Sequence, residues 1–174
     1  MIKLEEFSED KTFEINFSYS QSKNELWLNF TVNGPVQLLY PQELPTIELK
    51  QATDLWKKTC FEAFFFNQEG PSYCEVNFNV LGEYCFLFFD DYRIKSTHCL
   101  GLDFKIKAIQ RELSDKKLKV SALVELPNNP SFLLSPTLIL YPNSGETLYY
   151  ALKHGAKADF HSRQVTENKA FIIR

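Results

Sequence analysis

Glu62 lies in Cys60-Phe-Glu-Ala-Phe-Phe-Phe66, flanked by apolar residues on both sides. A carboxyl group there is costly unless hydrogen-bond donors meet it or it lines a pocket. Further on, Glu75, Asn77 and Asn79 alternate with Cys74, Val76, Phe78 and Val80. Alternate side chains of a strand share a face, so these three polar groups point the same way. Trp56 stands just upstream of this region and Arg93 just downstream. An indole ring stacks on a flat apolar ligand face and donates one hydrogen bond. A guanidinium gives planar paired hydrogen bonds to a carboxylate or to adjacent hydroxyls. A hydroxyl-rich small ligand needs this combination of flat apolar surface and placed polar groups. Each group also has a plain alternative. Glu75, Asn77 and Asn79 could form a solvated outer face, and Trp56 could be a core anchor. Glu62 could pair with Arg93 or a lysine, and Arg93 with Asp90, Asp91 or Glu62.

The C-terminal tail adds His154, Asp159 and His161 as candidate ligand-binding groups. Two histidines and an aspartate can bind zinc, but this spacing is not diagnostic. Asp90 and Asp91 with loop carbonyls offer oxygen ligands for calcium, without an EF-hand pattern. His98 and Cys99 read as a loop pair, and Asn29-Phe-Thr31 matches a glycosylation sequon. Glu62 and Glu75 together could serve glycoside hydrolysis if their carboxyls stood about 5–5.5 Å or about 6.5–9.5 Å apart. No nucleophile motif, phosphate loop or cofactor fingerprint occurs, so no cofactor is expected.

Strands must position these groups. Phe13, Ile15, Phe17 and Tyr19 form one face of a first strand, and Leu26, Leu28, Phe30 and Val32 one face of a second. The turn between them makes a hairpin. A connection with Pro35, Pro41 and Pro45 then leads from one sheet to the other. Central strands are expected at about 60–67, 72–80 and 83–90, with later strands at about 103–112 and 117–125. The run Asn128-Asn-Pro-Ser-Phe-Leu-Leu-Ser-Pro136 reads as a loop, followed by strands at about 137–141 and 147–152. CFEAFFF and YCFLFF are apolar on both faces, as in strands covered on both sides. The tail after Leu152 is expected to fold back over the domain. No segment keeps a helical period. About nine or ten strands with short turns predict an all-β fold, an antiparallel β-sandwich of jelly-roll or immunoglobulin-like type, as one domain over residues 1–174.

The totals agree. The 174 residues are 44% hydrophobic and 24% charged with net charge −3, enough for one substantial core. The 16 Phe and 8 Tyr favour pleated surfaces. No basic face suggests nucleic acid, and no apolar run suggests a membrane span. Cys60, Cys74, Cys85 and Cys99 have no CxxC spacing and read as buried free thiols in a reducing compartment. With no signal peptide visible at the start, a cytoplasmic location is expected.

Four segments carry a family resemblance: DLWKKTCFEAFF from Asp54, SYCEVNFNVLGEY from Ser72, FDDYR from Phe89, and YYALKHGAKADFH from Tyr149. In order and spacing they resemble the DOMON-like family of small bacterial proteins, related to family-9 carbohydrate-binding modules, over residues 12 to 173. The resemblance implies a β-sandwich with a ligand site on one sheet and its loops. It assigns stacking to Trp56, hydroxyl hydrogen bonding to Glu62, and sugar contact to Arg93. Those modules clamp the sugar between two Trp rings. Here the other tryptophan, Trp27, lies in the N-terminal hairpin, leaving Phe160 or Tyr149 as substitutes. Haem-binding DOMON relatives use a Met and His pair. The one Met here is Met1, so haem is not expected, with a bis-His site from His154 and His161 as the remaining arrangement.

The expected function is therefore a non-catalytic module that binds a small molecule, a sugar or similar polyhydroxylated ligand, through Trp56, Glu62, Glu75, Asn77, Arg93, His154, Asp159 and His161. The alternatives are a structural or protein-interaction domain with an internal polar network, and a glycoside hydrolase using Glu62 and Glu75. The sequence assigns no oligomeric state.

Overall fold

In the computed structural model, residues 1–41, 43–97, 103–128, 131–143, 145–166 and 169–173 are described. His98 and Cys99 lie outside them. The strands are β1 (Ile2–Lys3), β2 (Glu5–Glu6), β3 (Glu14–Ser22), β4 (Glu25–Asn33), β5 (Lys50–Gln51), β6 (Cys60–Asn67), β7 (Tyr73–Phe78), β8 (Glu83–Asp91), β9 (Ile94–Lys95), β10 (Lys105–Ser114), β11 (Lys117–Glu125), β12 (Phe132–Leu140), β13 (Leu148–Ala151) and β14 (Phe171–Ile173). One helical turn, α1 (Arg163–Thr166), and two short 3-10 turns complete the described elements.

The strands form two sheets packed as a sandwich. The smaller runs β1-β3-β4-β11-β10, and the larger runs β2-β13-β12-β6-β7-β8-β5. All neighbours are antiparallel except the short β5–β8 pair. The core is built from the alternating residues predicted to face inward. Ile15, Phe17, Leu28, Phe30, Val120 and Ala122 of the smaller sheet meet Phe61, Ala63, Phe65, Val76 and Phe78 of the larger one. The proline-containing connection joins the two sheets, as its sequence suggests, and Arg111 ties it down by donating to the carbonyls of Leu44, Pro45 and Val80.

The expected loop at Asn128–Pro136 is overturned in its second half. Phe132–Leu140 is one buried strand paired with β6 along its length. Pro136 is tolerated because the other edge of β12 is shared. β14 pairs with Phe132–Leu134 and β13 with Thr137–Leu140, which leaves residues 135 and 136 with no ladder partner there. A residue without an N–H costs no ladder bond in such a gap.

The larger sheet is covered on its outer face too. Phe64, Phe66, Tyr73, Phe89, Leu133, Ile139 and Ala151 pack there with Phe160 of the tail. The tail does fold back over the domain. This second apolar layer explains why β6 and β12 lack alternation: both faces are buried.

Candidate functional site

Register places the polar groups on this covered outer face. Thr137, Glu62, Asn77 and Cys85 are successive cross-strand partners on β12, β6, β7 and β8. The next row, two residues along each strand, is Ser135, Phe64, Glu75 and Leu87. Glu62 and Glu75 are therefore diagonal neighbours, whose backbones stand about 7–8 Å apart. The solvated-face alternative is overturned: Glu62 is 2% exposed, Glu75 4%, Asn77 0% and Asn79 4%.

A cavity of about 360 Å³ opens over these rows. Its floor is Glu62, Phe64, Glu75, Leu87 and Phe89. Ile139 and Tyr149 form one wall, Arg93 and Lys95 another, Trp56 stands at the rim, and Ala158, Phe160 and His161 of the tail form the remaining side. The volume lies at the lower end of the roughly 300–1,000 Å³ usual for small-molecule sites.

Trp56 sits in a 3-10 turn, Leu55–Lys57, that leads into β6. Its start, Asp54, is left-handed (φ 58°), a conformation Asp tolerates better than most residues. The Tyr141 hydroxyl donates to the Trp56 carbonyl at 2.9 Å and pins the turn to the sheet. The ring is half-buried, with the Nζ atoms of Lys57 and Lys95 each 5.9 Å from its centroid.

Arg93 occupies a left-handed position (φ 55°) in the tight turn between β8 and β9. None of its anticipated partners, Asp90, Asp91 or Glu62, is the one it takes. Its Nη2 donates to Asp159 Oδ1 at 2.9 Å, and the Tyr92 hydroxyl donates to Asp159 Oδ2 at 2.5 Å. Burial would raise the Asp159 pKa, but these two hydrogen bonds and the Arg93 charge hold it below the usual value. Asp159 thus fastens the tail to the β8–β9 turn and does not itself line the cavity.

His161 is the tail's contribution to the chemistry. The backbone N–H of Arg93 donates to the Tyr73 hydroxyl at 3.1 Å, which in turn lies 2.7 Å from His161 Nδ1. The hydroxyl accepts from Arg93 and keeps its own proton to share with Nδ1, and the other ring nitrogen, Nε2, lies 3.8 Å from Glu75 Oε2. Burial and the nearby Arg93 charge push the His161 pKa down to about 4. The ring is thus neutral near pH 7, and its contact with Glu75 is not an ion pair.

Both carboxyls shift the other way. Burial, reinforced by Glu75, holds Glu62 well above the usual carboxylate range, against a 3.1 Å hydrogen bond from the Thr137 hydroxyl. Burial also raises Glu75, opposed by the Asn77 amide at 2.7 Å and by the charges of Lys95 and Arg93.

Of the eight candidate residues, Trp56, Glu62, Glu75, Arg93 and His161 line one cavity. Asn77 is sealed beneath it and orients Glu75. His154 is elsewhere. Its Nε2 meets the Glu5 carbonyl at 2.8 Å, and its ring packs on Phe7 and Phe160. It braces β2 and the back of Phe160, while His161 has other neighbours, Phe64, Tyr73 and Phe89. Among the described residues no three His, Cys, Asp or Glu side chains converge on a metal position. Phe160 and Tyr149, the substitutes for a second tryptophan ring, both line the cavity. Phe64, Leu87 and Phe89 join them without being singled out by the sequence, although strand alternation puts Phe64 in phase with Glu62. Lys95 is recognisable only from the turn that brings it beside Arg93.

No family model matches this chain, and no curated protein matches it. The solved structure of a "putative carbohydrate-binding protein" from Bacteroides uniformis is similar in fold. It is 11% identical with a TM-score of 0.53, and the match covers 88% of this chain and 76% of that one. At that identity the likeness is one of architecture, the β-sandwich itself.

Proposed function

We propose that this chain is a non-catalytic binding module for a carbohydrate or similar polyhydroxylated small molecule, on a DOMON-like sandwich akin to family-9 carbohydrate-binding modules. The observation that carries the reading is the convergence of Trp56, Glu62, Glu75, Arg93 and His161 on one open cavity. Trp56, Tyr149 and Phe160 give a sugar ring flat apolar surface. Glu62 and Glu75 offer carboxyl oxygens and His161 an imidazole nitrogen for hydrogen bonds to sugar hydroxyls. The fold shared with the Bacteroides uniformis protein, by name a "putative carbohydrate-binding protein", supports the same direction. An open cavity beside Glu62 and Glu75 speaks against a polar network that serves only the core.

A glycan array followed by titration calorimetry tests this. Binding of at least one mono- or oligosaccharide, weakened about thirtyfold or more in Trp56→Ala and Glu75→Ala proteins that remain folded, is expected. No binding across the array would overturn it.

One observation favours a second reading, hydrolysis. Burial and the neighbouring Glu75 push the Glu62 pKa upward on a cavity floor, the direction a general acid beside a second carboxyl needs. Release of nitrophenol from a panel of nitrophenyl glycosides, lost in Glu62→Gln, would establish it. A flat baseline with every glycoside would rule it out.

A further inference from the structure

The charge arrangement of the cavity says more about its ligand than the hydroxyl-binding chemistry does, and its interpretation rests on the sugar-binding function proposed for this site. Glu62 and Glu75 are both almost fully buried and both face the cavity. Each receives its hydrogen bond from a neutral group, Thr137 Oγ1 on Glu62 and Asn77 Nδ2 on Glu75. Among the described residues no lysine or arginine nitrogen lies within 4.0 Å of either carboxyl. The cavity's own cations are engaged at its mouth. Arg93 is bound by Asp159 at 2.9 Å, and Lys95 sits over the Trp56 ring. Lys95 and Arg93 act on Glu75 only through their charge from the wall, so two acids without a directly bound cation form the floor of a chamber walled by aromatic rings, whose faces also attract a cation.

We infer that the ligand carries a protonated amine, which seats on the floor between Glu62 and Glu75 while its ring stacks among Trp56, Tyr149 and Phe160. The natural class is an amino sugar or a comparable amine-bearing polyol. The ammonium group supplies the directly bound cationic partner that neither Lys95 nor Arg93 gives the two carboxyls. Its arrival makes the carboxylate form of the glutamates the favoured one, so binding releases a proton from the floor to solvent.

Titration calorimetry of the intact chain with glucosamine, N-acetylglucosamine and glucose, in mildly acidic buffers of different ionisation heat, tests this. Glucosamine is expected to bind about tenfold or more tighter than the other two. Its heat should vary with the buffer, as proton release requires, while the heat for glucose should not. Glu62→Gln, which keeps a hydrogen-bonding partner for Thr137, should erase the preference and the proton release. Glucose or N-acetylglucosamine binding as tightly as glucosamine, with no proton release, would overturn the amine and leave the sugar-binding reading standing. Failure of all three sugars, together with an empty glycan array, would overturn both.

Discussion

Glu62 and Glu75 sit diagonally on adjacent strands, on the floor of one cavity, with no lysine or arginine nitrogen within 4.0 Å of either among the described residues. Each carboxyl is held up by burial, and Glu62 further by the proximity of Glu75. The pair is costly to the fold, and the cost is consistent with a site kept for a ligand.

The first consequence is a pH dependence of stability. An acid whose folded pKa is raised stabilises the fold fully below its unfolded pKa, and that contribution is lost as pH rises through the folded value. The window therefore opens near the ordinary glutamate value of 4.5 and extends upward. Glu62→Gln removes the titration. Its melting temperature should match the parent at acidic pH and exceed it by several degrees at alkaline pH, each kcal/mol being worth about 2–4 °C at this size. A melting series across pH measures it, and a constant difference would contradict the assignment.

Asp159 fastens the tail to the β8–β9 turn from outside the lining of this cavity. The Arg93–Asp159 pair is partly exposed, so its loss should cost only about 0.2–1 kcal/mol of stability. Asp159→Asn should nonetheless speed amide hydrogen exchange through Ala158–His161 and weaken ligand binding, while exchange in β6 and β7 stays unchanged. Unaltered exchange in the tail would show that the pair holds nothing down.

Phe160 anchors the tail to the outer face. It is buried and packs near Phe64, Tyr149 and His154. Truncating a buried aromatic costs about 3–5 kcal/mol when the whole fold depends on it. Here the two-sheet core does not include Phe160. Phe160→Ala is therefore expected to expose the segment around 158–166 to proteolysis, with a smaller loss of global stability. Global unfolding by the full amount would mean that tail and sandwich form one cooperative unit.

Most of the sandwich is legible in the sequence because β3, β4, β10 and β11 alternate, with one face in the core and one toward water. The start of β12 is not, because the strand is buried on both faces and carries Pro136, so neither alternation nor residue type marks it. The site divides the same way. Trp56, Glu62, Glu75 and Arg93 are close in sequence, and their carriers are neighbouring elements, so local pattern finds them. His161 reaches Glu75 only because the tail crosses the sheet, 86 positions later in the chain by the two numbers. The roles of Asn77 and Asp159 depend on which side chains lie beneath and beside them, and periodicity does not carry that.

Replacing Trp56 with alanine removes the one large ring at the rim. Affinity for a bound sugar should fall by about 2 kcal/mol or more, some thirtyfold, as for a central aromatic contact. Circular dichroism should stay unchanged, because the ring is half-buried and lies outside the two-sheet core. An affinity within twofold of the parent would remove Trp56 from the site.

Whether a saccharide binds in this cavity is open to direct measurement by NMR. Amide and indole shifts of labelled protein are followed during titration with glucosamine and glucose. Saturable shifts are expected at the Trp56 indole and at Glu62, Glu75, Arg93 and His161, with the Trp27 indole on the opposite sheet unmoved. Shifts centred on Trp27, or no saturable shift with any saccharide, would contradict the assignment of this cavity as the binding site.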